Sequence, residues 1–142
     1  MMKHIVLLTH GHLCEGFASA LQVISGSDNP LTLLCMEAQD SPDTMHSRVR
    51  QVLERFPAAD PVILMTDIPV GSTTQIAIPF LEDYANLYIV TGLNLGLLLE
   101  VALNPMEDDI ISHSSYNYIL HILSYYFVLS LFSNRNFCKE RL

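Results

Sequence analysis

Four short apolar runs punctuate the first 92 residues: 4–9 (HIVLLT), 31–36 (LTLLCM), 61–67 (PVILMTD) and 86–92 (NLYIVTG). None alternates apolar with polar positions, the pattern expected of strands covered on both faces of a parallel sheet. Between them the spacing becomes helical. Leu13, Phe17, Leu21 and Ile24 form a stripe that stops at Gly26, a residue suited to a helix C-terminus. In 40–57 (DSPDTMHSRVRQVLERFP), Ser41 is an N-cap candidate with Pro42 in the first turn, Val49, Leu53 and Phe56 supply the apolar stripe, and Pro57 lies just past the end. The third helix opens at GSTTQ, where Ser72 and Gln75 have capping-box spacing, and Pro79 should bend or shorten it. Asn94 is the cap expected for a last, apolar helix in 92–103. The order βαβαβαβα predicts an α/β fold: a doubly wound, mainly parallel sheet in strand order 2-1-3-4 with helices on both faces.

A chain of 142 residues is one ordinary domain, able to bury roughly two-thirds of its unfolded surface. Its 50% hydrophobic and 15% charged content exclude disorder, and a net charge of −8 argues against a nucleic-acid or anionic-membrane partner. Cys14, Cys35 and Cys138 are scattered, with no CxxC, so a reducing cytoplasm is expected rather than a disulfide framework, and the N-terminal apolar run is too short for a signal peptide. The composition changes near residue 110. Residues 1–110 hold 14 acidic and 4 basic side chains, 111–142 hold 1 and 3, and four of the six tyrosines fall in the second part. The expected organisation is therefore a domain over 1–110 and a divergent apolar segment over 111–142. The run YNYILHILSYYFVLSLF in that segment is 17 residues long with His121 inside it, short and polar for a membrane anchor.

In strand order 2-1-3-4 the crevice beyond the carboxyl ends of strands 1 and 3 is the expected ligand site. Those ends carry His10 and Asp67, 57 residues apart in sequence. The turn after Asp67 leads to Gly71, which permits close backbone approach, and to Ser72 and Thr73, whose helix-starting amides can bind an anion. A carboxylate holding Nδ1–H of a neutral imidazole leaves the Nε2 lone pair as a nucleophile. His10, Asp67 and Ser72 are thus the candidate catalytic residues for phosphoryl transfer. Thr9, Gly71, Ser72 and Thr73 are the candidate phosphate-binding set, and the scheme needs neither metal nor other cofactor. His10-x-His12 could be a fragment of a zinc site, but no third Cys, His or Glu cluster is evident at matching strand ends, so His12 is expected to cap the helix or face solvent. His4, His46, His113 and His121 read as structural.

The stretches THGHLCEGF, TDIPVGSTTQIAI and VTGLNLGLLLEV, in this order and spacing, resemble the IIA component of the mannose-type sugar phosphotransferase system over roughly residues 3–106. The resemblance implies that His10 is the phosphorylated residue, with Asp67 as the carboxylate after the third strand and Gly71–Ser72 as the pair that opens the next helix. It further implies a cytoplasmic homodimer that takes phosphate from the histidine-containing phosphocarrier protein and gives it to a IIB component, meeting the membrane only through the sugar permease. Val70 stands where the family usually has a first glycine. Residues 111–142 show neither the amphipathic helix nor the exchanged strand of the family, and look like an unrelated replacement or a shifted reading frame. Two other readings belong to different classes. A receiver-like signalling domain would be phosphorylated on an aspartate after strand 3, but it needs an acidic pair after strand 1 for a magnesium ion, where this chain has Thr9 and His10. A non-catalytic anion-binding or regulatory domain would keep the fold alone.

Overall fold

The computed structural model describes residues 2–26 and 29–104. The elements are β1 (His4–His10), α1 (Leu13–Ser25), β2 (Leu31–Met36), α2 (Pro42–Leu53), β3 (Val62–Thr66), α3 (Ser72–Ala77), α4 (Phe80–Asp83), β4 (Leu87–Thr91) and α5 (Leu95–Leu103). The four strands are parallel in the order β2-β1-β3-β4, as the alternating pattern requires. The 111–142 segment and its two histidines lie outside the described residues, among which no helix is long and apolar enough to cross a membrane.

Alternate residues of the two central strands feed two cores. Val6 and Leu8 of β1, with Val62 and Leu64 of β3, pack under Met45, Val49, Ile76 and Phe80 from α2, α3 and α4. Ile5, Leu7, Ile63 and Met65 face the other side, against Cys14, Leu21, Leu97 and Leu98 from α1 and α5. This two-sided burial is why β1 and β3 carry unbroken apolar runs. The same expectation for all four strands is corrected at the edges: only Leu34 of β2 is fully buried, and β4 alternates buried with half-buried positions. An edge strand has one neighbour instead of two, and its flanking helix does not cover it fully.

The helix ends follow local chemistry. Ser41 accepts from Thr44 N–H at 3.1 Å with Pro42 in the first turn, and Asn94 accepts from Leu97 N–H at 3.0 Å. Gly26 ends α1 in the left-handed conformation at φ 63°. Pro79 divides the third helical segment into α3 and α4, since a proline cannot supply the amide that would continue the ladder. Two expectations need correction. The α1 stripe is narrower than four positions: Cys14 and Leu21 are buried and Phe17 partly so, whereas Leu13 and Ile24 are about half exposed. The Ser72–Gln75 capping box does not form. Gly71 is the N-cap without a side-chain bond, and Gln75 Nε2 donates to Val70 O at 3.1 Å. His4 stacks on Phe56 at 4.2 Å and His46 on Phe80 at 4.3 Å, so both serve packing.

Phe80 is fully buried and sits where α2, α3 and α4 meet the sheet. Phe80→Ala should destabilise the domain by about 3–5 kcal/mol in urea unfolding, the range for emptying a buried aromatic site. Asn94→Ala, which removes one cap, should cost about 1 kcal/mol.

Candidate functional site

β1 and β3 are neighbours, paired with Leu8 opposite Thr66, and β1 runs on to His10 while the chain leaving β3 supplies Asp67. The parallel register therefore places an imidazole and a carboxylate at one carboxyl edge. Asp67 Oδ2 accepts from the His10 backbone N–H and from Nδ1 of its ring, each at 2.9 Å. Oδ1 accepts from Ile68 N–H and from the Thr73 hydroxyl, also at 2.9 Å each. A carboxylate accepts only, so the ring proton stays on Nδ1 and Nε2 carries the lone pair. The Ser72 hydroxyl donates to that nitrogen at 2.9 Å, with the Met36 sulfur 3.6 Å from the same oxygen. The His10 side chain is 41% exposed and that of Asp67 only 7%. The imidazole is reachable from solvent while its carboxylate anchor is not.

Burial pushes the Asp67 carboxyl up, but the backbone N–H of His10, then the His10 ring and the Thr73 hydroxyl outweigh it and hold the group below its ordinary value. The turn between them is braced from beneath. The Thr74 hydroxyl donates to Ile68 O at 2.7 Å and in turn meets the hydroxyls of Thr66 at 2.6 Å and Thr91 at 3.3 Å, all three residues being buried. Gly71 has an ordinary φ of −75°, so space and not conformation requires it: a Cβ there would stand 2.9 Å from Ile68 Cβ and 3.4 Å from His10 Cε1. Val70 projects into solvent at 81% exposure, and no non-glycine described residue has positive φ, so the valine is accommodated without crowding the loop. Gly11, directly after His10, does need its left-handed φ of 53°.

His10, Asp67, Gly71, Ser72 and Thr73 are thus brought together, although Thr73 spends its hydroxyl on Asp67 and leaves only its amide for an anion. Thr9 stands apart from the crevice. It is fully buried, and its hydroxyl accepts from Cys14 N–H at 2.9 Å, supporting the start of α1. The reading of the sequence missed Thr66, Thr74 and Thr91. A signal was available, since the apolar runs of strands 1, 3 and 4 each end in threonine before His10, Asp67 and Gly92. The expectation of no third ligand near His12 is also corrected. The end of β2 brings Cys35 and Glu37 to it, and Glu15 joins from the first turn of α1.

Fold and site together define a doubly wound domain that carries a carboxylate-held histidine at its switch point. Residues 4–114 match the family described as PTS system fructose IIA component, and the chain belongs to that family of mannose-type sugar phosphotransferase components. Its fold is that of the mannose/sorbose-specific IIA subunit of the phosphotransferase system from Enterococcus faecalis, with a TM-score of 0.75 at 24% identity over 92% of this chain and 97% of that one. The PTS component EIIA from Streptococcus agalactiae gives 0.67 at 18% identity over 87% and 91%. The PTS IIA protein associated with the fucose utilization operon of Streptococcus pneumoniae gives 0.67 at 19% over 85% and 96%.

Because the folded Asp67 holds its proton less tightly than an unfolded aspartate, its contribution to stability is complete above the ordinary value of 3.8 and is lost as pH falls through the lower folded one. Urea unfolding across that range should show the wild-type advantage over Asp67→Asn shrinking with acidification. An advantage independent of pH would contradict the ionised, multiply bonded carboxylate.

Proposed function

We propose that this chain is a phosphohistidine carrier, taking a phosphoryl group from the histidine-containing phosphocarrier protein onto Nε2 of His10 and passing it to a IIB component in sugar uptake. The observation that carries this reading is the division of labour within one ring: Nδ1 bound to Asp67 at 2.9 Å and Nε2 met, among the described residues, only by the Ser72 hydroxyl, also at 2.9 Å, in a His10 side chain that is 41% exposed. In the transfer, the Nε2 lone pair forms the new N–P bond in line with the donor's N–P bond, which breaks and leaves its electron pair on the donor nitrogen. Nδ1 keeps its proton. The ring becomes cationic, and the Asp67 carboxylate already faces that charge. The Ser72 hydroxyl turns from Nε2 to a phosphoryl oxygen, joined by the backbone amides of Ser72 and Thr73. Since α3 has only six residues, these individual donors matter more than its dipole.

Leu13, Ile68 and Val70, all about half exposed or more, lie in the segments that carry the site, which suits a donor and an acceptor that are themselves proteins. A net charge of −8 supports the same reading against nucleic acid or an anionic bilayer as partner. Family membership supports a cytoplasmic homodimer reaching the membrane only through the permease. Asp67 as phosphate acceptor, the receiver-like alternative, is disfavoured because both of its oxygens are already hydrogen-bonded.

Incubation with phosphoenolpyruvate and the general phosphotransferase proteins should add one phosphoryl mass to the chain, acid-labile and alkali-stable as a phosphoramidate is. His10→Ala should remain unlabelled, and labelling of that variant or an acid-stable adduct would overturn the reading. Asp67→Asn should slow transfer by about 10²-fold or more. Ser72→Ala should raise the barrier by roughly 1.5–3 kcal/mol, the worth of one hydrogen bond to a charged group, as read from single-turnover rates.

A further inference from the structure

A second group of chemistry-bearing side chains stands at the same sheet edge, and the phosphoryl reading does not use it. His12 precedes α1, Glu15 lies in its first turn, and Cys35 is the penultimate residue of β2. One nitrogen, one oxygen and one sulfur from these three lie within 4.8 Å of one another. The sheet sets this meeting. Thr9 pairs with Cys35 and His10 with Met36, and Gly11 N–H donates to Met36 O at 2.8 Å, so the chain beyond β1 is held beside the end of β2.

We propose that His12, Glu15 and Cys35 form a binding site for a borderline transition-metal ion, zinc being the natural occupant, with Glu37 holding the imidazole from behind. The donor set selects the ion: sulfur and imidazole disfavour magnesium and calcium, which take oxygen ligands, and suit zinc. Three protein ligands leave a fourth, tetrahedral position for water. From zinc bond lengths of about 2.0–2.3 Å, ligand atoms around the ion stand roughly 3.3–3.8 Å apart. Here His12 Nδ1 is 3.1 Å from Glu15 Oε2, and Cys35 Sγ is 3.9 Å from Glu15 Oε1. Closing the set takes rotations of the exposed His12 and Glu15 side chains toward the half-buried Cys35.

The His12 ring has carboxylates at both nitrogens, Glu15 at Nδ1 and Glu37 at Nε2, the latter at 3.0 Å. An imidazolium satisfies both, a neutral ring only one, and a metal ion at Nδ1 can take the place of the second proton. With the proton on Nε2 donated to Glu37 and the metal on Nδ1, both sides are matched, the carboxylate–histidine–metal arrangement in which an outer carboxylate fixes the ring. Cys14 Sγ lies 2.8 Å from Cys35 Sγ and can donate its S–H to the coordinated thiolate. Surface ion pairs alone would account for His12, Glu15 and Glu37, but not for a thiol completing their cluster. None of the three ligands belongs to the phosphoryl site, whose His10 ring is held by Asp67 and Ser72.

Cobalt(II) serves as the probe, titrated into the reduced full-length chain under anaerobic conditions. A thiolate-to-cobalt charge-transfer band saturating at one ion per chain is expected, abolished by zinc and untouched by magnesium. Cys35→Ser should remove the band. His12→Ala, at an exposed position, should weaken binding by at least about tenfold, and Glu37→Gln by roughly 10- to 100-fold, as for an outer-shell partner. His10→Ala should leave the band unchanged, which separates this site from the phosphoryl one. No charge-transfer band in the wild type, or a band that survives both Cys35→Ser and His12→Ala with circular dichroism intact, would overturn the proposal.

Discussion

An ionised carboxylate can accept about four hydrogen bonds, and Asp67 receives four: from the backbone and ring of His10, from Ile68 N–H and from the Thr73 hydroxyl. These donors come from the end of β1, from the turn after β3 and from the first turn of α3. One nearly buried side chain therefore ties together three pieces of backbone. The ring orientation, the tautomer and the path of the loop all depend on it, and the threonine cluster under the turn holds the loop from beneath. Among the described residues no buried side-chain nitrogen or oxygen lacks a partner, which a site held by buried polar groups requires.

Much of this was legible in the sequence because topology does the work. Unbroken apolar runs marked four strands of a parallel sheet, the usual doubly wound order made His10 and Asp67 neighbours, and caps at Ser41 and Asn94 followed from local chemistry. The capping box failed for a reason no window of five residues contains: the Ser72 hydroxyl is bonded to a histidine 62 positions away. The α1 stripe failed similarly, because a helix packed over β1 and β2 and against α5 buries a narrow line through Cys14 and Leu21, while Leu13 is left on the rim of the site. Edge strands could not be told from central ones, since β2 and β4 are apolar too and differ only in having a single neighbour.

The gathering of His12, Glu15, Cys35 and Glu37 was illegible for a related reason. Spacing relates His12 to Glu15, three residues apart at a helix start, but the other two residues arrive through the parallel register between β1 and β2. The same sheet edge therefore presents two arrangements with different hydrogen-bond logic. At one, a carboxylate fixes a ring so that its far nitrogen keeps its lone pair, met by a hydroxyl. At the other, carboxylates flank a ring on both nitrogens beside a thiol.

The placement of β1 between β2 and β3 also has a meaning for the order in which the molecule is made. His10 precedes Asp67 by 57 positions, and β1 with β2 can pair through a crossover of ordinary length. The site stays incomplete until β3 docks on the opposite side of β1, a contact between residues more than fifty positions apart whose closure entropy must be met before any local reward. During synthesis the histidine is therefore present long before its carboxylate partner. The chemistry of this edge is a property of the finished sheet, and a chain arrested before residue 67 would display the imidazole with nothing to hold its ring.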